Sequence, residues 1–189
     1  MYKSNSQVFQ YKTWVEVDAA ALRHNLRVVQ KHVGKNVAVM AVVKSNAYGH
    51  GIIEVAKTFG GFAFAYAEAK PPNVLFGVDS IDEALALKKA DIKNPILILG
   101  YIPRMRLRDA IANGFRFALY SEKTLRESAR VAKRLRKKAY IHIKLETGTY
   151  RQGIMPNELA SFAALLKKYP HVVAEGVYTH FADTENASS

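Results

Sequence analysis

No cysteine occurs in this chain of 189 residues, which excludes disulfide bridges and thiolate metal sites. Long apolar runs are missing too. None approaches the roughly 20 residues needed to span a bilayer. The opening stretch, Met1 to Lys12, carries Gln7, Gln10 and two lysines where a secretory leader would need a continuous apolar core. A cytoplasmic location is the expectation. Internal repeats and low-complexity segments are absent as well, and no linker divides the chain, so residues 1–189 read as one domain. Acidic residues are scarce, 16 against 28 basic ones, for a net charge of +12.

An excess of basic charge raises the question of a nucleic-acid or other anionic partner. Much of it lies in Arg126, Arg130, Lys133, Arg134, Arg136, Lys137 and Lys138. Leu125, Ala129, Ala132 and Leu135 recur through that run at helical spacing, which describes an amphipathic helix with a solvated basic face. No aromatic residues are interleaved for base stacking, and no zinc-finger or RNP pattern occurs. Nucleic acid, membrane and metal are therefore not expected partners. A basic anion-binding module stays open as an alternative, recognisable by binding that weakens steeply with salt.

Hydrophobic residues make up 49% of the chain, and their spacing alternates between two periods. Trp14-Val15-Glu16-Val17 predicts a short strand, followed by a helix that Asp18 caps and Gly34 stops. Val37 to Val43 is a fully apolar strand, and a helix is predicted over Ile52 to Phe59, broken by Gly60-Gly61. Phe62 to Tyr66 reads as either a strand or an irregular insert. Further strands are predicted at Val74 to Val78, Pro95 to Leu99, Phe115 to Tyr120, Ala139 to Leu145 and Val172 to Tyr178. Between them lie helices opened by the capping box Ser80-Ile81-Asp82-Glu83, near Met105 to Ala112, after Ser121, and over Glu158 to Lys168. Strands that alternate with helices argue for a parallel sheet with both faces covered. A barrel and an open doubly wound sheet both satisfy this pattern. The count is six parallel strands, whereas a closed barrel of this type has about eight strands in roughly 250 residues.

Three strand ends carry polar groups. At the first, Val37 to Val43 runs directly into Lys44-Ser45-Asn46-Ala47-Tyr48-Gly49-His50-Gly51. A parallel-barrel strand presents chemistry at its carboxyl end, and an amine leaving an apolar strand is suited to Schiff-base formation. Tyr48 lies one helical turn further on. At the second, Lys144 to Gly153, alternation puts Lys144 on the side of His142, and Arg151 offers a planar fork for a carboxylate or phenolate. Read alone, this segment is a surface loop salt-bridged by Glu146. At the third, His180 leaves the last strand within Tyr178-Thr179-His180-Phe181.

The segment Ala41 to Gly51 resembles, nearly residue for residue, the cofactor-lysine motif of bacterial alanine racemases. Lys144 and Arg151 keep the family's separation within Lys-x-Asp-Thr-Gly-Met-x-Arg-x-Gly, with Thr147, Gly148 and Gly153 matching. Thr179 to Ala182 matches its Thr-His-Phe-Ala, while Thr13 to Asp18, Arg23 to Leu26, Phe76 to Val78 and Asp82 to Leu85 add to the likeness. Departures are Glu146 for Asp, Thr149 for Met and Tyr150 for a small residue, which bear on the surroundings of Lys144. The insert near Phe62 to Asn73 also differs.

The resemblance implies a TIM-type (β/α) barrel, incomplete at about six of eight strands and lacking the family's C-terminal β domain. It implies pyridoxal 5'-phosphate as cofactor, held covalently by Lys44, which also serves as one racemising base. Tyr48 would bind the cofactor phosphate, Arg151 its phenolic oxygen and the substrate carboxylate, and His180 the pyridine ring. Lys144, as a carbamate, would orient Arg151. The implied activity is interconversion of L- and D-alanine for the cell wall of a bacterium, in a homodimer whose partner supplies the second base. A single-domain cofactor-carrying protein of the same barrel type is the related alternative.

Overall fold

The computed structural model describes residues 12–60 and 74–185. The ambiguous Phe62 to Tyr66 segment lies outside them, as does the rest of the insert up to Asn73. Six strands form one all-parallel sheet in the order β1-β2-β3-β4-β5-β6. They are β1 (Val39–Val42), β2 (Val74–Val78), β3 (Ile96–Ile98), β4 (Arg116–Leu119), β5 (Ala139–Lys144) and β6 (Val172–Tyr178). Each strand pairs with the next in the chain, so the order never reverses. A doubly wound sheet turns back at a switch point. Monotonic order is that of a (β/α) barrel wall, and the alternative left open by the pattern is thereby decided.

The helices are α1 (Ala19–Val33), the single turn α2 (Lys44–Tyr48), α3 (Ile52–Gly60), α4 (Ile81–Lys89), α5 (Leu107–Asn113), α6 (Glu122–Leu135) and α7 (Leu159–Leu166). Their ends follow from local chemistry. Asp18 Oδ1 accepts the N–H groups of Ala20 and Ala21 at 2.7 and 3.0 Å, and Gly34 ends α1 at φ 83°. Ser80 and Glu83 form the expected reciprocal box at the start of α4, and Ser121 caps α6. Along α6, Leu125, Ala129 and Ala132 are buried. Its basic outer face is partly neutralised within the helix itself, by Arg126–Glu122 and Arg130–Glu127 pairs.

The core lies between the sheet and this helical layer. Val74, Phe76, Val78, Ile98, Phe117, Leu119 and Ile141 are fully buried there. On the inner side, a methyl group at Gly77 would sit 3.1 Å from Leu99 Cδ1 and 3.3 Å from Met40 Sδ and Val42 Cγ2. The space over Gly77 is thus taken by side chains of β1 and by Leu99, just after β3. Lower down, Arg116 of β4 makes a two-pronged ion pair with Glu175 at 2.8 and 3.1 Å. Glu175 falls where the β5–β6 register shifts, a bulge that turns a side chain out of alternation.

One expected strand does not form. Trp14 to Val17 pairs with no neighbour among the described residues. Trp14 instead donates from Nε1 to Glu16 Oε1 at 2.7 Å, and Val15 is exposed. Alternation supplies an apolar face, but a strand also needs a partner edge.

Candidate active site

Strand β1 ends in an unusual way. Val43 N–H still reaches β2, donating to Gly77 O at 2.8 Å. The next residues abandon the ladder: Ser45, Asn46, Ala47 and Tyr48 all have φ between 52° and 54°. Four successive non-glycine residues therefore form a left-handed helical turn, where an ordinary right-handed one is expected from the spacing of Lys44 and Tyr48. Each such residue costs about 1–2 kcal/mol of steric strain, so the turn persists only where surrounding bonds over-determine it.

Those bonds are present at both ends. Ser45 N–H donates to Glu83 Oε1 at 2.7 Å, while Glu83 Oε2 accepts from Asp79 N–H at 2.7 Å. At the far end Asn46 O accepts from Gly49 and Gly51, and Asn46 Oδ1 accepts from Ile52 N–H at 2.9 Å, tying the turn to the start of α3. Glu83 is visible in the sequence as half of a capping box, but its second partner is not. Asn46 is visible only as one letter of a motif.

The Lys44 amine makes no hydrogen bond or ion pair among the described residues, and it lies close enough to Lys144 to act on its ionisation. Lys144, at the carboxyl end of β5, is only 8% exposed. Its amine donates to Gln152 Oε1 at 3.2 Å and lies 5.9 Å from the centre of the Tyr178 ring. Burial pushes the Lys144 amine below the usual lysine range, with the positive charges of Arg151 and Lys44 adding to the effect and Glu146 and Asp79 opposing it. Three cations thus converge on one strand end, a setting suited to an anionic group.

The loop carrying Arg151 is organised from within. Leu145 pairs with Ile154, closing residues 146–153 into a compact excursion. Glu146, 5% exposed, sits inside it and accepts the N–H groups of Gly148 at 2.7 Å and Arg151 at 3.1 Å. The backbone bond from Tyr150, with those from Gly148 and Arg151 and the Thr149 hydroxyl, holds the Glu146 carboxyl at about 2. The expected salt-bridged surface loop is therefore corrected: buried backbone donors outcompete any cation for this carboxylate. Gly153 permits the closure, since a Cβ there would meet Glu146 N at 2.4 Å.

The β6 end joins the same face. Leu145 N–H donates to Tyr178 O at 2.8 Å, Thr179 Oγ1 donates to Leu145 O at 3.0 Å, and the Thr147 and Thr179 hydroxyls are 2.6 Å apart. His180 follows, exposed at the rim. Tyr48 is also exposed, at 62%, and its hydroxyl makes no hydrogen bond among the described residues. Lys44, Lys144 and Arg151 are thus gathered, and His180 and Tyr48 stand exposed at the same end. Sequence reasoning did not single out Tyr178. Its hydroxyl is buried without a hydrogen-bond partner among the described residues, and burial raises its pKa well above the usual phenol value. Among the described residues no group of three or more His, Asp or Glu could hold a metal ion, and no helix is long and apolar enough to cross a membrane.

Comparison with known proteins agrees with this geometry. Residues 17–189 match the family model of the alanine racemase N-terminal domain. Alanine racemase 1 of Oceanobacillus iheyensis is 36% identical over 93% of this chain and 44% of its own length. Alanine racemase 1 of Bacillus subtilis is 35% identical over 96% of this chain and 44% of its own length. The solved alanine racemase of Clostridium difficile 630, in complex with cycloserine, superposes with a TM-score of 0.81 at 33% identity, covering 92% of this chain and 45% of that one. The chain thus spans less than half the length of these relatives. On its sequence and its strand order, the chain belongs to the alanine racemase family, whose N-terminal domain it matches over residues 17–189.

Proposed function

We infer that the chain supplies the cofactor-lysine portion of a pyridoxal-phosphate-dependent racemase that interconverts L- and D-alanine. The observation that carries this reading is the position of Lys44: an amine with no hydrogen-bond or ion-pair partner among the described residues, at the carboxyl end of β1, at the start of a strained turn beside Lys144, on which Arg151 also acts. The residues present fit the cofactor. Lys44 would hold its aldehyde carbon, Arg151 its phenolic oxygen, His180 its ring and Tyr48 its phosphate. When bound, this cofactor acts as an electron sink that acidifies the substrate Cα–H bond.

The chain's own residues do the rest. The Arg151 guanidinium, on a loop made rigid by Glu146, binds the substrate carboxylate in a fork. Lys144 orients Arg151 from behind, and its poorly solvated amine favours carbamate formation with carbon dioxide. The Lys44 amine moves a proton at one face of the Cα atom. Inversion needs a second base on the opposite face. A tyrosine from the C-terminal β domain of a partner subunit fills that role in this reading, which makes the working enzyme a homodimer. Supply of D-alanine to a bacterial cell wall, in the cytoplasm, is the corresponding cellular role.

The test is direct. Pyridoxal phosphate added to the protein and fixed with borohydride should label one lysine, mapped by mass spectrometry to Lys44, and Lys44→Ala should abolish the label. Labelling spread over surface lysines, unchanged by Lys44→Ala, would defeat the reading.

A further inference from the structure

Glu83 lies on α4, 38 residues from the lysine turn, and nothing in the chemistry outlined above uses it. Its carboxylate is nevertheless shared between two loops. Oε1 accepts from Ser45 N–H at 2.7 Å. Oε2 accepts from Asp79 N–H at 2.7 Å and Ser80 N–H at 3.2 Å. An ordinary capping-box glutamate needs only the N-cap N–H. Here the second oxygen is turned to the first amide after Lys44. That amide is the place where β1 leaves β2, since Val43 makes the last ladder bond to Gly77. Without an acceptor at Ser45, the turn would begin on an unpaired donor and four residues at positive φ.

We propose that Glu83 is a positioning residue for Lys44: it clamps the first amide of the left-handed turn to the β2–α4 loop and so fixes the direction in which the lysine amine leaves the strand. This rests on the reading of Lys44 as the cofactor lysine. It also implies that both carboxylate oxygens are needed at that position. A glutamine has one acceptor oxygen and could satisfy Ser45 or the Asp79–Ser80 pair, but not both; its amide N–H₂ would face a donor on the other side.

Two variants separate clamping from simple helix capping. Glu83→Gln breaks one side of the bridge at constant size. Ser80→Ala removes the hydroxyl that accepts Glu83 N–H at 3.2 Å, weakening the cap without touching Ser45. Amide hydrogen exchange on the cofactor-free protein is the first readout. Exchange across Ser45 to Gly51 should quicken at least about tenfold in Glu83→Gln, the range expected for loss of a charge-assisted bond, and stay near wild type in Ser80→Ala. The second readout is the rate of borohydride-fixable attachment of pyridoxal phosphate to Lys44. Its saturating rate should fall in Glu83→Gln and hold in Ser80→Ala, a split that general loss of stability would not produce. Should Glu83→Gln prove unfolded, Glu83→Asp keeps the charge and shortens the reach, with the same outcome expected.

Equal exchange and equal attachment rates in the Glu83 and Ser80 variants would overturn the positioning role. Absence of attachment in the unaltered protein would instead overturn the cofactor reading. The exchange result stands apart from that failure, because it is measured without cofactor.

Discussion

The carboxylate of Glu146 receives the backbone N–H of Arg151 at 3.1 Å, so the residue that presents a guanidinium to the strand ends is held by its main chain. Its side chain has no hydrogen-bond or ion-pair partner among the described residues, and the loop beneath it carries the rigidity. This arrangement ties the candidate anion site to the ionisation of one buried acid.

Acid should therefore loosen the Arg151 loop late. Glu146 is held at about 2 by backbone donors, below its unfolded value. Its contribution to stability is full above the ordinary glutamate range and is lost as pH falls through that range toward about 2. Glu146→Gln should destabilise the protein most near neutral pH, with the difference from the unaltered chain shrinking on acidification. Urea denaturation at a series of pH values checks the sign, and a carboxyl titration followed by NMR checks the midpoint.

Lys144 gives a dependence of the same sign in a more alkaline window, but here the charged form is the disfavoured one. Burial and the charges of Arg151 and Lys44 lower its pKa, so the folded state holds its proton less tightly than the unfolded chain does. Stability associated with this group rises as pH climbs through the lowered value. Lys144→Met should raise the thermal midpoint near neutral pH, and the gain should diminish in alkali. The same depression enlarges the neutral fraction of the amine. Carbon-13-labelled bicarbonate should give a carbamate NMR signal that Lys144→Arg removes.

Two glycines should respond differently to alanine. At Gly153 a Cβ would lie 2.4 and 2.5 Å from backbone atoms of Glu146 and Leu145, which cannot give way without opening the loop. Gly153→Ala should cost about 3 kcal/mol or more and weaken pyridoxal phosphate attachment. At Gly114, with φ 71° and nothing within 4 Å, Gly114→Ala should cost only about 1–2 kcal/mol. Denaturant midpoints distinguish the two.

The core makes a similar contrast. Phe117 is fully buried beneath the helices, and Phe117→Ala should cost about 3–5 kcal/mol through lost burial and a cavity. Met105 is 85% exposed, and Met105→Ala should change stability by no more than about 0.5 kcal/mol. Thermal unfolding of both variants is sufficient.

Much of this was legible before any coordinates. The six strands fall within a residue or two of the runs that predict them, because the face packed under the helices must be apolar in every strand, and in β2 and β3 both faces are. Helix starts at Ala19, Ile81 and Glu122 follow the caps at Asp18, Ser80 and Ser121, because capping acts over three residues. Trp14 to Val17 misled for the converse reason: alternation is local, but pairing needs an edge elsewhere in the fold.

What the chain's residues determined alone was whatever acts over a few positions: strand and helix periods, caps, and the placement of Lys44, Lys144 and His180 at or just beyond strand ends. Tertiary structure decided the rest. Strand order separates a barrel wall from a doubly wound sheet, and it depends on which strands meet, which no local spacing encodes. The left-handed turn after Lys44 is disfavoured by the intrinsic preference of all four of its residues. It is held by Glu83, 38 positions away, and by Asn46 reaching the start of α3. Strain of that kind survives only where distant groups supply the bonds that offset it, so it becomes visible only when the folded chain brings them together.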